Sequence, residues 1–396
     1  MPRPGNRVRT GICLVGLFVV GGTAAAGADF DFKGRLAVAG VQDDNIFYTS
    51  QAEQSDVITR VTPEIEAGSR SERFSLAGKF SLDAERFAEH TELDTNQARQ
   101  FAGLDLESRL SRPVTLTLHG DYLSTLSPGD LNLATGLAGG RARARRLAVN
   151  PSVKWKSSAV TAGTISGAFS KDDLAGGVAT NTRSAGLDLE HHVSRRDTVS
   201  AGYNLSRYDF EGSVPVTAHL LSVGWDRRVG ARSNIALRAG PRYSEGRLDP
   251  EGSLALQVGV RRTQTSLTVS RSLTTVIGLA GTVVSDSVLA GFSYEPSPSI
   301  RMSATPGFYR TRDPLGGPET RVFVAGLEAD WRLSDWLSLV TTYRRNLQEG
   351  GLAPVAPGAG GAVPEVVRNT LYLGLVAGRS EPQAAAGREK SGGETP

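Results

Sequence analysis

The sequence predicts an all-β fold, a closed antiparallel transmembrane β-barrel of about 18 strands with short turns at one rim and long loops at the other. Three observations carry this: long segments of alternating polarity, connections that alternate between short and long, and aromatic residues gathered near strand ends. The segment Val57–Phe87 shows the unit. Val57, Thr59, Val61, Pro63, Ile65 and Ala67 share one face of an extended chain, with Ile58, Arg60, Thr62, Glu64 and Glu66 on the other. After the turn Ser71-Glu72-Arg73, the residues Phe74, Leu76, Gly78, Phe80 and Leu82 oppose Ser75, Lys79, Ser81, Asp83 and Glu85. Side chains alternate across a strand with period two, so each arm has an apolar face and a polar one. Both arms outrun the roughly 5 or 6 residues usual in a globular sheet.

Ahead of the barrel, Arg3, Arg7 and Arg9 precede an apolar run from Gly11 to Val20 and the small residues Ala26 and Ala28. This is the layout of a secretory signal cleaved before Asp29, so residues 1–28 are assigned to a signal peptide. The apolar run is shorter than the roughly 20 residues a membrane helix needs. The chain has 44 Lys+Arg against 41 Asp+Glu, and removing the three signal arginines leaves 41 against 41. Bulk charge therefore points to no nucleic acid or polyanion as partner. The single cysteine, Cys13, falls in the signal and leaves the mature chain without thiol chemistry.

The strands read in order as roughly 33–47, 56–69, 73–87, 97–110, 114–124, 145–156, 159–171, 182–191, 197–210, 217–227, 233–244, 253–261, 264–274, 285–295, 299–311, 319–332, 336–347 and 366–379. Leu254, Leu256, Val258 and Val260 mark one clear apolar face, and Leu371, Leu373 and Leu375 another. Short connections include Arg70–Arg73, Ser111–Pro113, Ser157–Ser158 and Leu333–Asp335. Long ones include Tyr48–Ser55, Thr125–Ala144, Ser244–Gly252 and Gln348–Glu365. An even strand count puts both termini at the short-turn, periplasmic rim, so residues 29–379 form one barrel and 380–396 a polar periplasmic tail expected to be disordered. Trp155, Trp225, Trp331 and Trp336 lie near short turns. Phe47, Tyr48, Phe87, Tyr122, Phe169, Tyr208, Phe210, Tyr243, Tyr309 and Tyr343 lie at the opposite strand ends, as two aromatic girdles would. A sandwich would have shorter strands, and a propeller would repeat every four strands.

The first strand carries Asp43-Asp44-Asn45-Ile46-Phe47 just before a polar loop, and the second has Pro63 near its centre in VTPEI. Central prolines recur in VNPSV (Pro151), AGPRY (Pro241) and ATPGF (Pro306). With paired arms such as FSLAGKFSLDAERF, the chain from about Lys33 to Arg379 resembles the beta-barrel porin family associated with exopolysaccharide operons, the EpsL-like outer-membrane proteins. That resemblance implies a conduit for exopolysaccharide export in the outer membrane of a Gram-negative bacterium, with the polysaccharide or export-system proteins as partners. A general porin for small solutes, and a non-conducting structural barrel or surface receptor, are the readings the residues leave open beside it. The last strand, RNTLYLGLVAGR, has Ala377 and Arg379 where barrel proteins commonly carry an aromatic read by the assembly machinery.

No enzymatic constellation stands out. His192 and Ser194 share a strand face but fall in a turn, and His119 and Asp121 have no serine beside them. The five histidines show no metal-ligand spacing, and the glycine-rich segments Gly136–Gly140 and Gly351–Gly361 lack the strand–loop–helix setting of a phosphate cradle, so no metal or cofactor is expected. Asp43, Asp44 and Asn45 form an outer-rim motif suited to capping strand ends. The basic run Arg141–Arg146 suits either a solvated loop base or the phosphates of lipopolysaccharide, which with other outer-membrane lipids and the barrel assembly machinery is an expected partner.

Function would lie on the inward faces. By parity these carry Arg60, Lys79, Arg99, Arg109, Lys154, Arg238, Arg242 and Arg301 against Glu64, Glu66, Asp83, Glu85, Asp105, Glu107, Asp121, Glu190, Glu328 and Asp330, with His119 among them. The mixed signs argue against a strongly anionic cargo. The loop alternation yields a topology test. An epitope placed within Gln348–Glu365 is expected to be labelled on intact cells and one at Ser157–Ser158 only after permeabilisation; the reverse pattern would invert the barrel.

Overall fold

A computed structural model describes residues 29–316, 319–350 and 365–378. The signal segment, the tail and most of the last long loop lie outside the described residues. The strands are β1 (Asp29–Asp43), β2 (Asp56–Arg70), β3 (Phe74–Phe87), β4 (Thr95–Arg109), β5 (Val114–Thr125), β6 (Ala144–Lys156), β7 (Thr161–Leu174), β8 (Thr180–His192), β9 (Asp197–Phe210), β10 (Val216–Gly230), β11 (Ser233–Ser244), β12 (Arg247–Val260), β13 (Thr263–Thr275), β14 (Thr282–Ser297), β15 (Ile300–Arg312), β16 (Glu319–Ser334), β17 (Leu337–Gly350) and β18 (Val366–Gly378). Each pairs antiparallel with its neighbours in sequence, and β1 closes on β18. Closure leaves no strand without partners on both sides, although some strand ends, such as Asp29–Gly34 of β1, are paired on one side only. With strands about 4.8 Å apart and tilted by about 40°, eighteen of them enclose a backbone cylinder roughly 35 Å across.

The expected parity holds around the wall. Leu36, Val38, Ile65, Phe80, Leu104, Leu187, Leu221, Val223, Leu327 and Leu373 are exposed on the outside. The register puts the charged residues of β2 to β6 opposite one another inside, as in Asp83↔Arg99 and Asp105↔His119. At the short-turn rim the aromatic band is as expected and broader: Phe30, Phe32, Phe74, Tyr294, Trp331 and Trp336 are all exposed there.

The expected outer girdle divides. Tyr122, Phe169, Tyr243 and Tyr343 neighbour inward residues and so face out, whereas Phe87, Tyr208 and Phe210 are inward and buried, and Tyr309 faces inward as well. Phe47 and Tyr48 belong to no strand, because β1 ends at Asp43 and the chain turns inward there. Their strand-end position in the sequence cannot distinguish a lipid-facing ring from one that packs under a loop.

The expected long loop at Ser244–Gly252 is a two-residue turn. Glu245 and Gly246 have φ of 51° and 77°, the doubly positive geometry of a tight hairpin whose twist matches its strands. The four central prolines also have a structural reading. Pairing continues in register but is interrupted at Thr62-Pro63, Asn150-Pro151, Gly240-Pro241 and around Pro306. Proline has no N–H for the ladder, and each sits where a ladder step is missing.

One element leaves the wall. β12 and β13 pair only as far as Gly252↔Arg271, and beyond it β13 keeps only β14 as a partner. Thr282, Val283, Val284 and Ser285 are buried on both faces. Leu273 and Val284 pack on Tyr208, Phe210, Val216 and Ala218, inward residues of β9 and β10. The outer end of the β13–β14 hairpin is therefore folded into the barrel. Its freed Leu273 N–H donates to the Glu251 carboxylate at 3.3 Å instead of to a neighbouring strand.

Register makes a direct prediction. Leu256→Arg places a cation on the outer wall and is expected to cost about 2–4 kcal/mol in a bilayer, whereas Arg238→Leu, facing inward, is expected to leave assembly intact. Heat-dependent gel mobility of the purified variants checks both; equal damage from the two would mean a wrong register.

Candidate functional site

The sequence-derived lumen residues fall on two sides of an asymmetric interior. On β1 to β6 they interlock: Glu64 and Glu66 accept Lys79 at 2.8 and 3.3 Å, and Arg35 reaches Glu64 at 3.2 Å. Arg60 pairs with Glu85 at 2.7 Å, and Thr62 donates to Asp83 at 2.8 Å. His119 lies 2.6 Å from Asp105 and 3.5 Å from Asp121, and Arg109 lies 3.9 Å from Glu107. Farther round, Lys154 meets Glu190 at 3.1 Å and Arg238 meets Asp188 at 3.0 Å. Arg99 stands over the Phe101 ring, 5.8 Å from its centre. Glu328 and Asp330 face inward from β16, beside Ser303 and Arg301 of β15.

Two placements differ from expectation. Arg242 is inward but only 1% exposed, held by Asp249 at 3.1 Å and Glu251 at 3.2 Å, so it braces the folded-in hairpin and does not line open water. The Arg141–Arg146 run divides: Arg141 and Arg146 turn into the barrel, whereas Arg143 and Arg145 stand on the outer face. Arg141 pairs with Glu85 at 2.9 Å and stacks on Phe87, Arg143 donates to the Gln97 carbonyl, and Arg146 pairs with Asp172 at 2.6 Å. A run of arginines reads as a patch in sequence, but strand parity sends alternate members to opposite faces.

The opposite arc is largely hydroxylic, with the Arg301–Glu295 ion pair at 2.7 Å near the short-turn rim. Ser266, Thr268 and Ser270 of β13, Ser287 of β14, and Ser303 and Thr305 of β15 point inward. Ser270 and Ser287 share a 2.7 Å hydrogen bond. The signal was present as the alternation TQTSLTVSRS, but an attention to charge passes over it. Between the two arcs lies a cavity of about 1220 Å³ lined by Arg60, Asp83, Arg99, Thr268, Thr305, Tyr309, Arg344 and Tyr372.

Its roof is the segment between β5 and β6. Pro128–Leu131 forms one helical turn. Leu137 then packs, fully buried, with Val276 and Val283 of the hairpin and Val322 of β16. Asn132 ties the roof across the mouth: its Oδ1 accepts from Ile277 N at 3.0 Å and its Nδ2 donates to the Leu137 carbonyl at 3.1 Å. Ser285 donates to the Ala134 carbonyl at 2.7 Å, and Ala138 N donates to Gln348 at 3.1 Å. Burial pushes the Tyr48 phenol up and keeps it a neutral donor to Asn346 at 2.7 Å. The long connection Thr125–Ala144 thus folds inward and narrows the mouth. In the sequence Thr275–Val284 reads as one more long connection, and its local pattern carries no sign that it enters the barrel.

The outer-rim motif closes the β1–β18 seam. Asp43 binds the Arg368 guanidinium through both oxygens and accepts from Asn45 N at 3.1 Å. Asp44 accepts from Asn369 N at 2.7 Å and from its amide at 2.6 Å. Asn45 donates to the carbonyls of Thr49 and Val367 at 2.7 and 2.9 Å. These are strand-capping roles. Asp56, not singled out in the sequence, does the same next door: it accepts from the backbone of Val57, Ala88, Glu89 and His90, and its Oδ2 lies 2.8 Å from His90 Nδ1. At the other rim, Ser194 bonds Asp197 at 2.8 Å and His192 bonds Thr198 at 2.8 Å, both within one turn. No group of three or more His, Cys, Asp or Glu suited to a metal occurs among the described residues.

No protein-family model and no curated protein matches the chain. Among solved structures it is similar to OccAB4 of Acinetobacter baumannii, with 10% identity, 88% of this chain and 98% of that one covered, and a TM-score of 0.47. It is similar to OccK11 (OpdR) of Pseudomonas aeruginosa at 12% identity, 88% and 96% coverage and a TM-score of 0.44. The outer membrane channel DcaP of Acinetobacter baumannii shows 14% identity, 90% and 98% coverage and a TM-score of 0.43. Nothing about cargo follows from likenesses this distant.

The seam generates a prediction. Asp43→Ala removes both acceptor oxygens from the half-buried Arg368 guanidinium, a loss of charge-assisted hydrogen bonding of about 1.5–3 kcal/mol. The variant is expected to lose its heat-resistant gel mobility at lower temperature than the wild type, with Arg368→Met/Asp43→Leu less affected than Asp43→Ala. Unchanged mobility of Asp43→Ala would show that the backbone ladder alone seals the barrel.

Proposed function

We propose that the chain is an outer-membrane channel for polar, weakly charged solutes, closed at its outer mouth by the β5–β6 segment and the β13–β14 hairpin and opened when they swing aside. The observation that carries this reading is a wide polar lumen closed at its outer mouth by a loop and a hairpin tip that stand apart from the wall's ladder. The exposed apolar wall and the aromatic band at the short-turn rim support the membrane setting. The roof buries a few residues, Leu131, Leu137, Val276 and Ile277, at about 1.5–3 kcal/mol per large apolar side chain, plus hydrogen bonds through Asn132 and Ser285. Over these four side chains that amounts to about 6–12 kcal/mol, more than the few kcal/mol that separate freely exchanging states, so opening draws on the binding energy of a cargo or partner.

The finer reading is export of an exopolysaccharide. It rests on the sequence resemblance and is supported by the interior: the hydroxylic arc suits a polyhydroxylated chain, and the paired charges of the other arc present no strong net field. A barrel of this width accommodates a hydrated polysaccharide strand once the roof is displaced. Deletion of the gene is expected to abolish extracellular polymer while sparing small-solute uptake. In planar bilayers the intact protein is expected to show low conductance that rises when 128–138 is replaced by a short Gly/Ser turn. Normal polymer export in the deletion strain, together with a large steady conductance in the intact protein, would favour a general porin.

A further inference from the structure

In addition to Arg143 and Arg145 at the start of β6 and the Arg183↔Arg207 pair of β8 and β9, four arginines near the long-loop rim face outward together on β13 to β16. Across these strands the outward residues form two registered rows. The lower, Val269↔Val288↔Phe308↔Phe323, is apolar. One ladder step toward the long-loop rim, the upper row is Arg271↔Asp286↔Arg310↔Arg321, entirely charged, with Arg312↔Glu319 directly above it. The change from hydrocarbon-compatible to ionic surface is complete within two residues. That places the upper row at the level where a bilayer's headgroups begin.

The charges do not balance. Asp286 lies 3.7 Å from Arg271 and 3.3 Å from Arg312, and Glu319 lies 2.5 Å from Arg310 and 2.8 Å from Arg321. Two carboxylates thus serve four guanidiniums; on neighbouring β17 Glu349 stands opposite Arg321 and leaves the row one positive charge in excess, while Arg345 lies two steps lower, opposite Ala325. Arg310 and Arg321 are also directly opposed in register and share the Glu319 carboxylate between them. The Nε atoms of Arg271 and Arg310 are buried without a hydrogen-bond partner. A guanidinium offers a planar fork of donors that fits a phosphate bidentately, so the surplus is one of both charge and geometry.

We infer that this row is a binding site for the phosphates of lipopolysaccharide in the outer leaflet, with the acyl chains lying against Val288, Phe308 and Phe323. The inference rests on the reading of the chain as an outer-membrane barrel. Its test is native mass spectrometry of the full-length barrel, extracted in detergent from outer membranes and titrated with lipid A bearing both phosphates or with its dephosphorylated form. The wild type is expected to prefer the phosphorylated form by at least about tenfold, and Arg310→Gln/Arg321→Gln to lose most of that preference. Arg112→Gln, in a turn at the opposite rim, is expected to retain it. Arg312→Gln is a milder variant that keeps the Arg310–Glu319–Arg321 contacts, and a reduced preference is expected from it also. Wild-type preference in these variants, with their heat-dependent gel mobility intact, would overturn the site. Recovery of the wild type away from the outer membrane would instead overturn the membrane setting, and the site with it.

Discussion

Everything in this molecule depends on the β1–β18 seam. A barrel in lipid has no water to satisfy a frayed edge, so the first and last strands must stay paired over their length. Their direct register covers Arg35↔Gly378 to Asp43↔Thr370. Beyond it the chains separate into loops, and there Asp43, Asp44 and Asn45 take over from the backbone ladder. They occupy Arg368, Asn369 and the Val367 carbonyl. Asp56, one strand away, gathers the backbone N–H groups at the end of β3 in the same manner. The outer end of the seam is therefore a side-chain weld made of charge-assisted hydrogen bonds, about twice as strong as neutral ones.

With the wall sealed, the interior is free to be polar, and its two halves solve that problem differently. The arc from β1 to β6 satisfies its charges by cross-strand ion pairs, which hold their side chains against the wall. The arc from β13 to β15 uses hydroxyls, which are short and leave space. The cavity lies where the two meet under the roof. Apolar packing is confined to small clusters near the long-loop end, so the molecule has no single core. Its hydrophobic burial is spent on holding loops inside the mouth, and the rest of its apolar surface faces outward.

The folded-in hairpin links these features. By leaving β12, it opens the ladder and exposes a backbone N–H that Glu251 then receives. Arg242 neutralises Glu251 and Asp249 behind it. On its outer flank the same departure brings Arg271 and Asp286 to the upper limit of the apolar wall. Closure of the mouth and the ionic collar outside it are thus consequences of one strand's change of course.

The sequence by itself determined the wall. Period-two alternation, turn residues and loop lengths are local properties, and they set the strand number, the inward or outward sense of Arg60, Lys79, Asp105 or Glu328, and the tryptophan band near the short turns. The proline-centred strands were visible too, although their meaning as interrupted ladder steps was not. Only the tertiary structure decided what happens at the mouth. Tyr208, Tyr309 and Phe87 carry the same strand-end signature as the lipid-facing Tyr243, and they differ only in whether a distant loop comes to cover them. Leu137 meets Val276 and Val322 across the barrel, contacts separated by more than a hundred residues in the chain. Charge behaves in the same way. Arg141–Arg146 is contiguous in sequence but is split between the two faces, with Arg141 and Arg146 drawn inward, whereas Arg271, Arg310 and Arg321 become neighbours through register alone. Local pattern fixes the face of a strand on which a side chain stands; what stands opposite it depends on closure, which is non-local.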